Sequence, residues 1–479
     1  MSSYWKAPVA SAIKSFLAVI PTETPAERIR NQLILVAVIL LVIIVIFISA
    51  LRNVYRFLTN DPRKSKGPSF LFGVVVPSVL PVLLYTVLTD SLSYMNDSGK
   101  VLPYSYRPSQ EALELHNRLP FIADLHADTL LWTHRQSMLN PEVKLGHIDM
   151  QRLIDGNVAL QVFSSVTLSP AELNMYRNSN ATDTIRTLGI VQRWPMKAIF
   201  GHSARMERVA LFASALDKMQ EKSIIDGSHG IFVFVKSRTD FDRLLSLRQQ
   251  FGSKVVGGLL SIEGSNMCHP IWITAEECAN RLWSLGVRMV AMTHFVDNAV
   301  GSSATGESDY GLTSYGEDYV KRLLELGMMI DMAHTSVKTI DNVIALYDEH
   351  VKTTGRKVLL VVSHTGLKSA CFHNRNLEDR HAKALAQRGG IIGVAFFPEA
   401  VCGNNLTDII KSYKVAVDLT STNNVVLGSD YDGAVSVPFD VSDLAYMTQG
   451  LLAEGFSESE IQKIMGETVQ TKFMEYLPL

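Results

Sequence analysis

Several short apolar runs in this sequence end in a histidine or a carboxylate. The first, "FIADLH", ends at His126 and is followed by Asp128, so an imidazole and a carboxylate stand two residues apart. Alternate residues of a strand point to the same face, so these two side chains can approach one ion. Similar runs end at or next to Glu263, His294, His334, His364 and Asp430. A single histidine after an apolar run is usually a hydrogen-bonded core residue, but this joint placement predicts a metal site.

The ligand types restrict the metal that such a site can hold. Imidazole and carboxylate groups suit zinc, manganese or iron and disfavour calcium. Three histidines and two carboxylates are too many for one tetrahedral ion that keeps a position for water. Two ions, roughly 3.5–4 Å apart and sharing an activated hydroxide, fit these ligands better. Glu263 is the predicted bridge, because it stands alone on a middle strand.

The remaining histidines lie outside this pattern. His147 precedes Asp149, which is predicted to cap the N-terminus of a helix. His373 is interpreted as a loop histidine near the proposed site. Four others are expected on solvated faces of helices or loops: His116, His202, His350 and His381.

From residue 121 onward, short apolar runs alternate with amphipathic stretches. Repeated strand and helix patterns predict a parallel sheet covered by helices. About eight such units predict a (β/α)8 barrel with insertions, an α/β fold over 121–479, whose strand ends would bring the metal-binding residues to one mouth. An open doubly wound sheet is the alternative, but no G-x-G-x-x-G turn follows a strand. The stretch 167–226 departs from the alternation and is predicted to be an irregular insertion followed by a helix, and 90–120 is a predicted linker.

Two uncharged apolar runs precede this linker. The run 33–51 is long enough to cross a bilayer core of ~30 Å, so it is predicted to be a transmembrane helix after a flanking or cytoplasmic segment, 1–32. The run 69–88 is predicted to be a second membrane segment, although its prolines weaken it as a helix. Basic residues between the runs favour a cytoplasmic loop. Two spans would therefore place everything after residue 90 of this membrane protein, including the predicted barrel, outside the cytoplasm, whereas a single span would draw that part inward.

Charge and cysteine content exclude some classes of protein. The net charge of -2 gives no basic excess for binding nucleic acid. None of the four cysteines (Cys268, Cys278, Cys371 and Cys402) forms a C-x-x-C pair, which disfavours a zinc ribbon or a thioredoxin-like motif. One or two disulfides are compatible with a location outside the cytoplasm, but the sequence does not pair them.

The chain from about 121 to 475 resembles the membrane dipeptidases of peptidase family M19. The resemblance rests on segments that occur in the family order, among them "DLHADTLLW", "SIEGS", "GLTSYGEDYVKRLLELGMMIDMAHTS", "VVSHTGLKSACFHNRN" and "VVLGSDYDGA". It implies a binuclear zinc hydrolase on a (β/α)8 barrel, with dimerisation as a further family property. The family is anchored by a C-terminal lipid in animals, whereas the apolar runs of this chain are N-terminal.

The resemblance also implies a role for each metal-binding residue. His126 and Asp128 would hold the first zinc ion. His334 and His364 would hold the second, and Glu263 would bridge the two.

Three further residues would handle the substrate if the resemblance holds. His294 would stabilise the oxyanion that forms when the peptide carbonyl is attacked. Arg375 would bind the substrate carboxylate, and Asp430 would bind the free amine and shuttle the proton. An amine site and a carboxylate site together define a two-residue length, which predicts a dipeptidase.

Two alternatives stay open from the sequence. One is another binuclear amidohydrolase, acting on N-acyl amino acids, lactams or phosphoesters; the H-x-D pair disfavours its phosphotriesterase-like version. The other is a catalytically silent membrane-bound barrel that serves as a receptor or scaffold.

Overall fold

The computed structural model describes residue 101 and residues 107–132, 146–226 and 229–479. Every described residue belongs to one compact unit, Leu92–Leu479.

Nine parallel strands form the centre of the described unit. They are β1 (Ile122–Ala127), β2 (Val158–Val166), β3 (Ile231–Phe234), β4 (Val255–Glu263), β5 (Val287–Ala291), β6 (Met329–Asp331), β7 (Leu360–Thr365), β8 (Ile391–Val394) and β9 (Val425–Leu427). Eight of them close a ring in the order β1, β2, β4, β5, β6, β7, β8, β9 and back to β1. The remaining strand, β3, pairs with the first half of β4, and β5 pairs with the second half. The predicted barrel is therefore confirmed, and the open-sheet alternative is wrong.

Helices connect the strands. They are α1 (Gln110–Arg118), α2 (Met150–Asp155), α3 (Thr184–Val191), α4 (Met196–Ile199), α5 (Ala204–Asp226), α6 (Arg238–Phe251), α7 (Ala275–Ser284), α8 (Ser314–Leu326), α9 (Val337–Thr354), α10 (Asp379–Gln387), α11 (Pro398–Val401), α12 (Leu406–Leu419), α13 (Ala445–Ala453), α14 (Glu458–Gln462) and α15 (Thr468–Tyr476). Several begin at a side chain that accepts a hydrogen bond from the first turn, as Asp149, Ser336 and Asn405 do. The predicted cap at Asp149 is thus confirmed.

The predicted insertion follows β2. It runs without regular structure to Asp183 and continues through α3 and α4 into the long helix α5. Arg208 of α5 is buried and donates to Thr167 O, at 2.5 Å, and to Asp183 Oδ2, at 3.0 Å. These contacts hold α5 and Asp183 against Thr167, the residue that follows β2.

Apolar side chains from different strands fill the lower part of the barrel. Leu259, Met289, Val361 and Ile391 pack in one group with Phe473 of α15. Leu259 lies four residues before the end of β4, so it shares a strand face with Glu263. The apolar group therefore fills the barrel beneath that carboxylate, which explains why most strands read as continuous apolar runs rather than as alternating ones.

All four cysteines form disulfides. Cys268 pairs with Cys278, and Cys371 pairs with Cys402. The second disulfide joins the loop after β7 to the end of α11. The structure thus supplies the pairing that the sequence left open.

The predicted membrane location needs correction. In residue 101 and the ranges 107–132, 146–226 and 229–479, no helix is both long and apolar enough to cross a bilayer. This finding contradicts the predicted location in a membrane, with the catalytic domain outside the cytoplasm. The two apolar runs, 33–51 and 69–88, lie outside the described residues.

Candidate metal centre

The structure brings the predicted metal-binding residues to one mouth of the barrel. His126 lies in β1 and His364 in β7, Glu263 is the last residue of β4, and His334 follows β6. Each of these side chains is buried, as is Asp128 just beyond β1. Parallel strands end on the same side of a barrel, so residues far apart in sequence meet there.

Glu263 lies at the centre of this cluster. Its Oε1 is 3.0 Å from His334 Nε2, 3.3 Å from His364 Nε2 and 3.4 Å from His294 Nε2. Its other oxygen, Oε2, is 3.6 Å from His126 Nε2. One oxygen of this carboxylate therefore faces three imidazoles, and the other faces His126.

His126 is the centre of a second set of contacts. Its Nε2 is 3.8 Å from Asp128 Oδ1 and 3.7 Å from Asp430 Oδ1. The potential ligand atoms of His126, Asp128 and Glu263 all lie within 4.8 Å of one another. The same holds for Glu263, His294 and His334, and for His126, His364 and Asp430.

These separations fit divalent cations. Ligand atoms on a tetrahedral zinc ion with bonds of about 2.0–2.2 Å lie about 3.3–3.6 Å apart. The Nε2 atoms of His334 and His364 are 3.1 Å apart, so two nitrogen lone pairs would repel each other unless a proton or a cation lay between them. His126 Nε2, Asp128 Oδ1 and Glu263 Oε2 are buried without a hydrogen-bond partner among the described residues. A cation would satisfy these atoms, whose burial otherwise costs about 1–3 kcal/mol each.

Two residues of the cluster have an unusual backbone conformation. His334 has a φ of 60° and Asp430 a φ of 63°, in the left-handed region that residues other than glycine rarely adopt. The His334 carbonyl accepts hydrogen bonds from Ala304 N at 2.8 Å and from Ser303 Oγ at 3.1 Å. The loop after β5 thus holds His334 in a conformation that aims its ring at Glu263, and such strain is typical of functional sites.

The pKa shifts favour the ligand form of the central residues. Burial, with nearby positive charge, lowers the pKa of His334 and of His364 well below the ordinary value, so both rings are neutral at pH 7. Burial alone would raise the pKa of Glu263, but His294 and His126 lower it well below its ordinary value. Neutral imidazoles around an ionised carboxylate are the forms that bind a cation.

His126 and Asp128, on the other side of the cluster, have raised pKa values. Burial raises the pKa of Asp128 to about 6, and the charge of Glu263 adds to the effect. Burial lowers the pKa of His126, but the surrounding carboxylates outweigh it and bring that pKa well above the ordinary value. Without a cation, a proton on His126 therefore supplies the positive charge that these carboxylates require.

The three predicted substrate-handling residues border the cluster. Arg375 is buried, donates from Nη2 to His364 O at 2.9 Å, and leaves Nη1 without a partner among the described residues. Burial lowers its pKa to about 10, so it stays charged at neutral pH. Burial raises the pKa of Asp430 well above the ordinary value. His294 Nδ1 lies 3.2 Å from Leu168 O, so this nitrogen carries the proton that is donated to the carbonyl.

A cavity of about 360 Å³ adjoins the cluster. His334 and Arg375 line it, together with Lys368, Glu378 and Tyr176. Its volume lies within the range of small-molecule sites, and its lining is mixed in charge.

Sequence reasoning missed the polar residues that support the ligands. Asp124 accepts hydrogen bonds from Ser429 N at 2.8 Å and from Gln161 Nε2 at 2.8 Å, which ties β1 to β2 and to the end of β9. Asp331 accepts from Ala333 N at 3.0 Å and from Ser363 N at 2.9 Å, which ties β6 to β7. The available signal was a carboxylate inside an otherwise apolar strand.

Two of the histidines expected on solvated faces are buried instead, and so is His147, whose location was not predicted. His116 and His381 were expected on solvated faces, but both are buried and hydrogen-bonded. His147 is buried too, and its Nδ1 accepts from Asp432 N at 2.9 Å. Asp432 accepts from Thr129 Oγ1 at 2.8 Å, so this carboxylate braces the loop after β9.

A closed parallel barrel with a histidine and carboxylate cluster at its mouth is typical of metal-dependent hydrolases. The profile of the membrane dipeptidase family, peptidase family M19, matches residues 109–473. The chain therefore belongs to that family, and the prediction of an M19 hydrolase is confirmed at this level.

Individual relatives agree with this assignment. Dipeptidase verJ of Clonostachys rogersoniana is 28% identical over 226 residues, which cover 46% of this chain and 55% of that protein. The chain thus spans about half the length of this curated relative.

Solved structures share the fold. The dipeptidase AC, a metallopeptidase of family M19, is 22% identical with a TM-score of 0.58 over 75% of this chain and 99% of its own. A metallopeptidase from Rhodobacter sphaeroides, liganded with a phosphinate mimic of the dipeptide L-Ala-D-Ala, is 19% identical with a TM-score of 0.54 over 74% of this chain and 99% of its own.

Proposed function

We propose that this protein is a zinc dipeptidase with two ions per chain, bridged by Glu263. The observation that carries the proposal is the placement of the two Glu263 oxygens, one facing His334 and His364 and the other facing His126. Asp128, 3.8 Å from His126 Nε2, completes the set around His126. Such a donor set suits zinc. Two zinc ions bound there would lower the pKa of a coordinated water to near neutrality.

Two charged residues would select the ends of the substrate. The partnerless Nη1 of Arg375 can donate to the terminal carboxylate of a dipeptide, because guanidinium and carboxylate form strong charge-assisted hydrogen bonds. Asp430 would bind the free amine. The Rhodobacter sphaeroides relative was solved with a dipeptide mimic, which supports a substrate of this length.

Proton transfer is assigned to Asp430 and charge stabilisation to His294. Burial raises the pKa of Asp430, which favours a carboxyl group that takes up a proton and delivers it to the departing amine. His294 would stabilise the negative charge that develops on the substrate carbonyl oxygen. Both side chains lie beside Glu263 or His126, within reach of a substrate bound over the cluster.

The test uses the full-length chain, purified without chelator. We expect about two zinc ions per chain and hydrolysis of dipeptides with free amines. N-acylated analogues should be poor substrates, because they cannot pair with Asp430. Asp430→Asn should keep its zinc while losing most turnover.

Other outcomes would favour the alternatives. Less than one zinc ion per chain, with no turnover after zinc is added, would reject the proposal. Faster hydrolysis of N-acylated analogues would instead indicate another binuclear amidohydrolase. Two bound ions without turnover of any dipeptide or acyl analogue would favour a silent barrel.

A further inference from the structure

One serine hydroxyl lies between histidines of the two halves of the metal centre. Ser363 Oγ is 2.9 Å from His364 Nδ1 and 3.4 Å from His126 Nδ1. The rings of these histidines stack, with centroids 3.7 Å apart. Ser363 is completely buried in β7. A single hydroxyl group therefore contacts Nδ1 of His126 and Nδ1 of His364, which are proposed to bind different ions.

The third neighbour of this hydroxyl is Asp331. The Asp331 carboxylate faces the Ser363 hydroxyl, which lowers the pKa of Asp331 against the effect of burial, and it is held by Ser363 N at 2.9 Å and Ala333 N at 3.0 Å. The carboxylate cannot rotate away without breaking these backbone contacts. Its orientation toward Ser363 is therefore fixed by β6 and β7.

The hydrogen-bonding capacity of the four groups matches in only one arrangement. A hydroxyl has one proton to donate and two lone pairs to accept. If its proton goes to Asp331, both lone pairs are free for the N–H groups of His126 and His364. Each imidazole then carries its proton on Nδ1 and presents the Nε2 lone pair toward Glu263. This is the tautomer that binds a metal ion through Nε2.

We propose that Ser363, oriented by Asp331, is a positioning residue that sets the metal-binding tautomer of His126 and His364 and so couples the two ion sites. The inference rests on the proposed function, because it assigns those histidines to two different ions. The other two histidines of the cluster do not contact Ser363: His294 Nδ1 contacts Leu168 O, and His334 Nδ1 has no partner among the described residues.

The first variant is Ser363→Ala, which removes the acceptor of both N–H groups. We expect zinc affinity to fall about 10–100-fold at both sites, the usual effect of losing a partner of a metal-binding histidine. Affinity is measured by titrating zinc into the full-length chain in competition with a chromogenic chelator. Ser261→Ala is the matched control, because Ser261 is a buried barrel serine whose hydroxyl donates to Phe163 O and contacts neither histidine.

The second variant, Asp331→Asn, preserves shape and can keep both backbone contacts. Its amide would donate to Ser363 Oγ, so the hydroxyl proton would turn toward one imidazole and remove that ring from the binding tautomer. We expect one zinc site to weaken more than the other, in contrast to Ser363→Ala.

The thermal midpoint of each metal-free variant is measured in parallel. Both variants should unfold near the wild-type temperature. A merely structural role would instead lower the midpoint and leave the zinc affinity unchanged. Two tightly bound ions in wild type together with unchanged affinities in Ser363→Ala and Asp331→Asn would overturn the inference and leave the proposed function standing. A wild-type chain without zinc would overturn both.

Discussion

At the scale of single residues, His294 is the histidine whose geometry constrains its predicted role most. Its Nδ1 donates to Leu168 O, so the neutral ring presents a lone pair, not an N–H group, at Nε2. Burial lowers its pKa, although Glu263 opposes this shift. His294 can therefore stabilise an oxyanion only in its protonated form, and in its neutral form it could instead bind a cation.

The variant His294→Gln separates these two roles. For oxyanion stabilisation we expect zinc content to remain near two ions per chain while kcat falls about 10²–10³-fold, the usual loss when one such donor is removed. KM should change little, since the interaction forms mainly in the transition state. Zinc content is measured by elemental analysis and turnover with a free-amine dipeptide.

His269→Gln provides the control, because His269 lies in the loop after β4, where its Nδ1 accepts a hydrogen bond from Ile271 N. It should keep both metal and turnover. A loss of one zinc ion in His294→Gln alone would show that His294 is a ligand, and the predicted role would then be wrong.

The sequence pointed to the candidate ligands more directly than to the residues that support them. His126, Glu263 and His364 were recognised because each closes an apolar run, and a barrel brings such positions together. Ser363 could not be recognised in the same way, because a serine before a histidine has many ordinary explanations. Its role depends on which strands are neighbours, and periodicity does not contain that information.

At the scale of elements, the burial of His116 joins α1 to the rest of the barrel. Its Nε2 donates to Gly156 O, 3.1 Å away, and its Nδ1 accepts from Thr448 Oγ1 of α13 at 3.0 Å. The contact in which Nδ1 accepts requires the neutral ring, and burial disfavours the charged one. The amphipathic pattern of α1 predicts which face is polar, but not that α13 covers this face, so His116 was placed in solvent incorrectly.

This contact predicts a pH dependence of stability. Burial lowers the pKa of His116 to about 4, whereas the unfolded chain binds the proton near pH 6.5. As the pH falls below 6.5, the unfolded state takes up a proton that the folded state refuses, so stability decreases until about pH 4. The loss from this one group should be about 2 kcal/mol at pH 5.

The measurement compares the free energy of unfolding of wild type and His116→Gln in the metal-free protein at pH 7 and pH 5. The variant should be less stable at pH 7 but should lose about 2 kcal/mol less on acidification. His202→Gln, at an exposed position, should follow wild type. Equal acid sensitivity of His116→Gln and wild type would contradict the assignment.

The order of strands shows the limit of sequence patterns at this scale. Alternating strands and helices predicted a ring filled in chain order, but β2 pairs with β4 along seven residues and leaves β3 outside. Both β2 and β4 are nine-residue buried strands, whereas β3 has four residues. The longer apolar pairing buries more backbone and side-chain surface, which sequence order alone does not express.

At the scale of the whole molecule, the proposed metal centre would join separate parts of the barrel. Its five proposed ligands come from β1, β4, β6 and β7, which lie far apart in sequence. The same ligands bring buried atoms without partners into one place. Burying these atoms without partners lowers the stability of the metal-free protein. Cations that bind them should therefore stabilise the closed ring as a whole.

Zinc should therefore raise the unfolding temperature in a concentration-dependent way. An ion that binds only the folded chain adds about 2.7 kcal/mol when its free concentration is 100 times its Kd, so two ions add about 5 kcal/mol. Unfolding is followed by circular dichroism at several buffered free-zinc concentrations. In Glu263→Gln the carboxylate that faces both sets of ligands is lost, and the unfolding temperature should respond far less to zinc. Because that substitution changes only one buried side chain, an equal zinc response in both proteins would place the stabilising ions elsewhere in the chain.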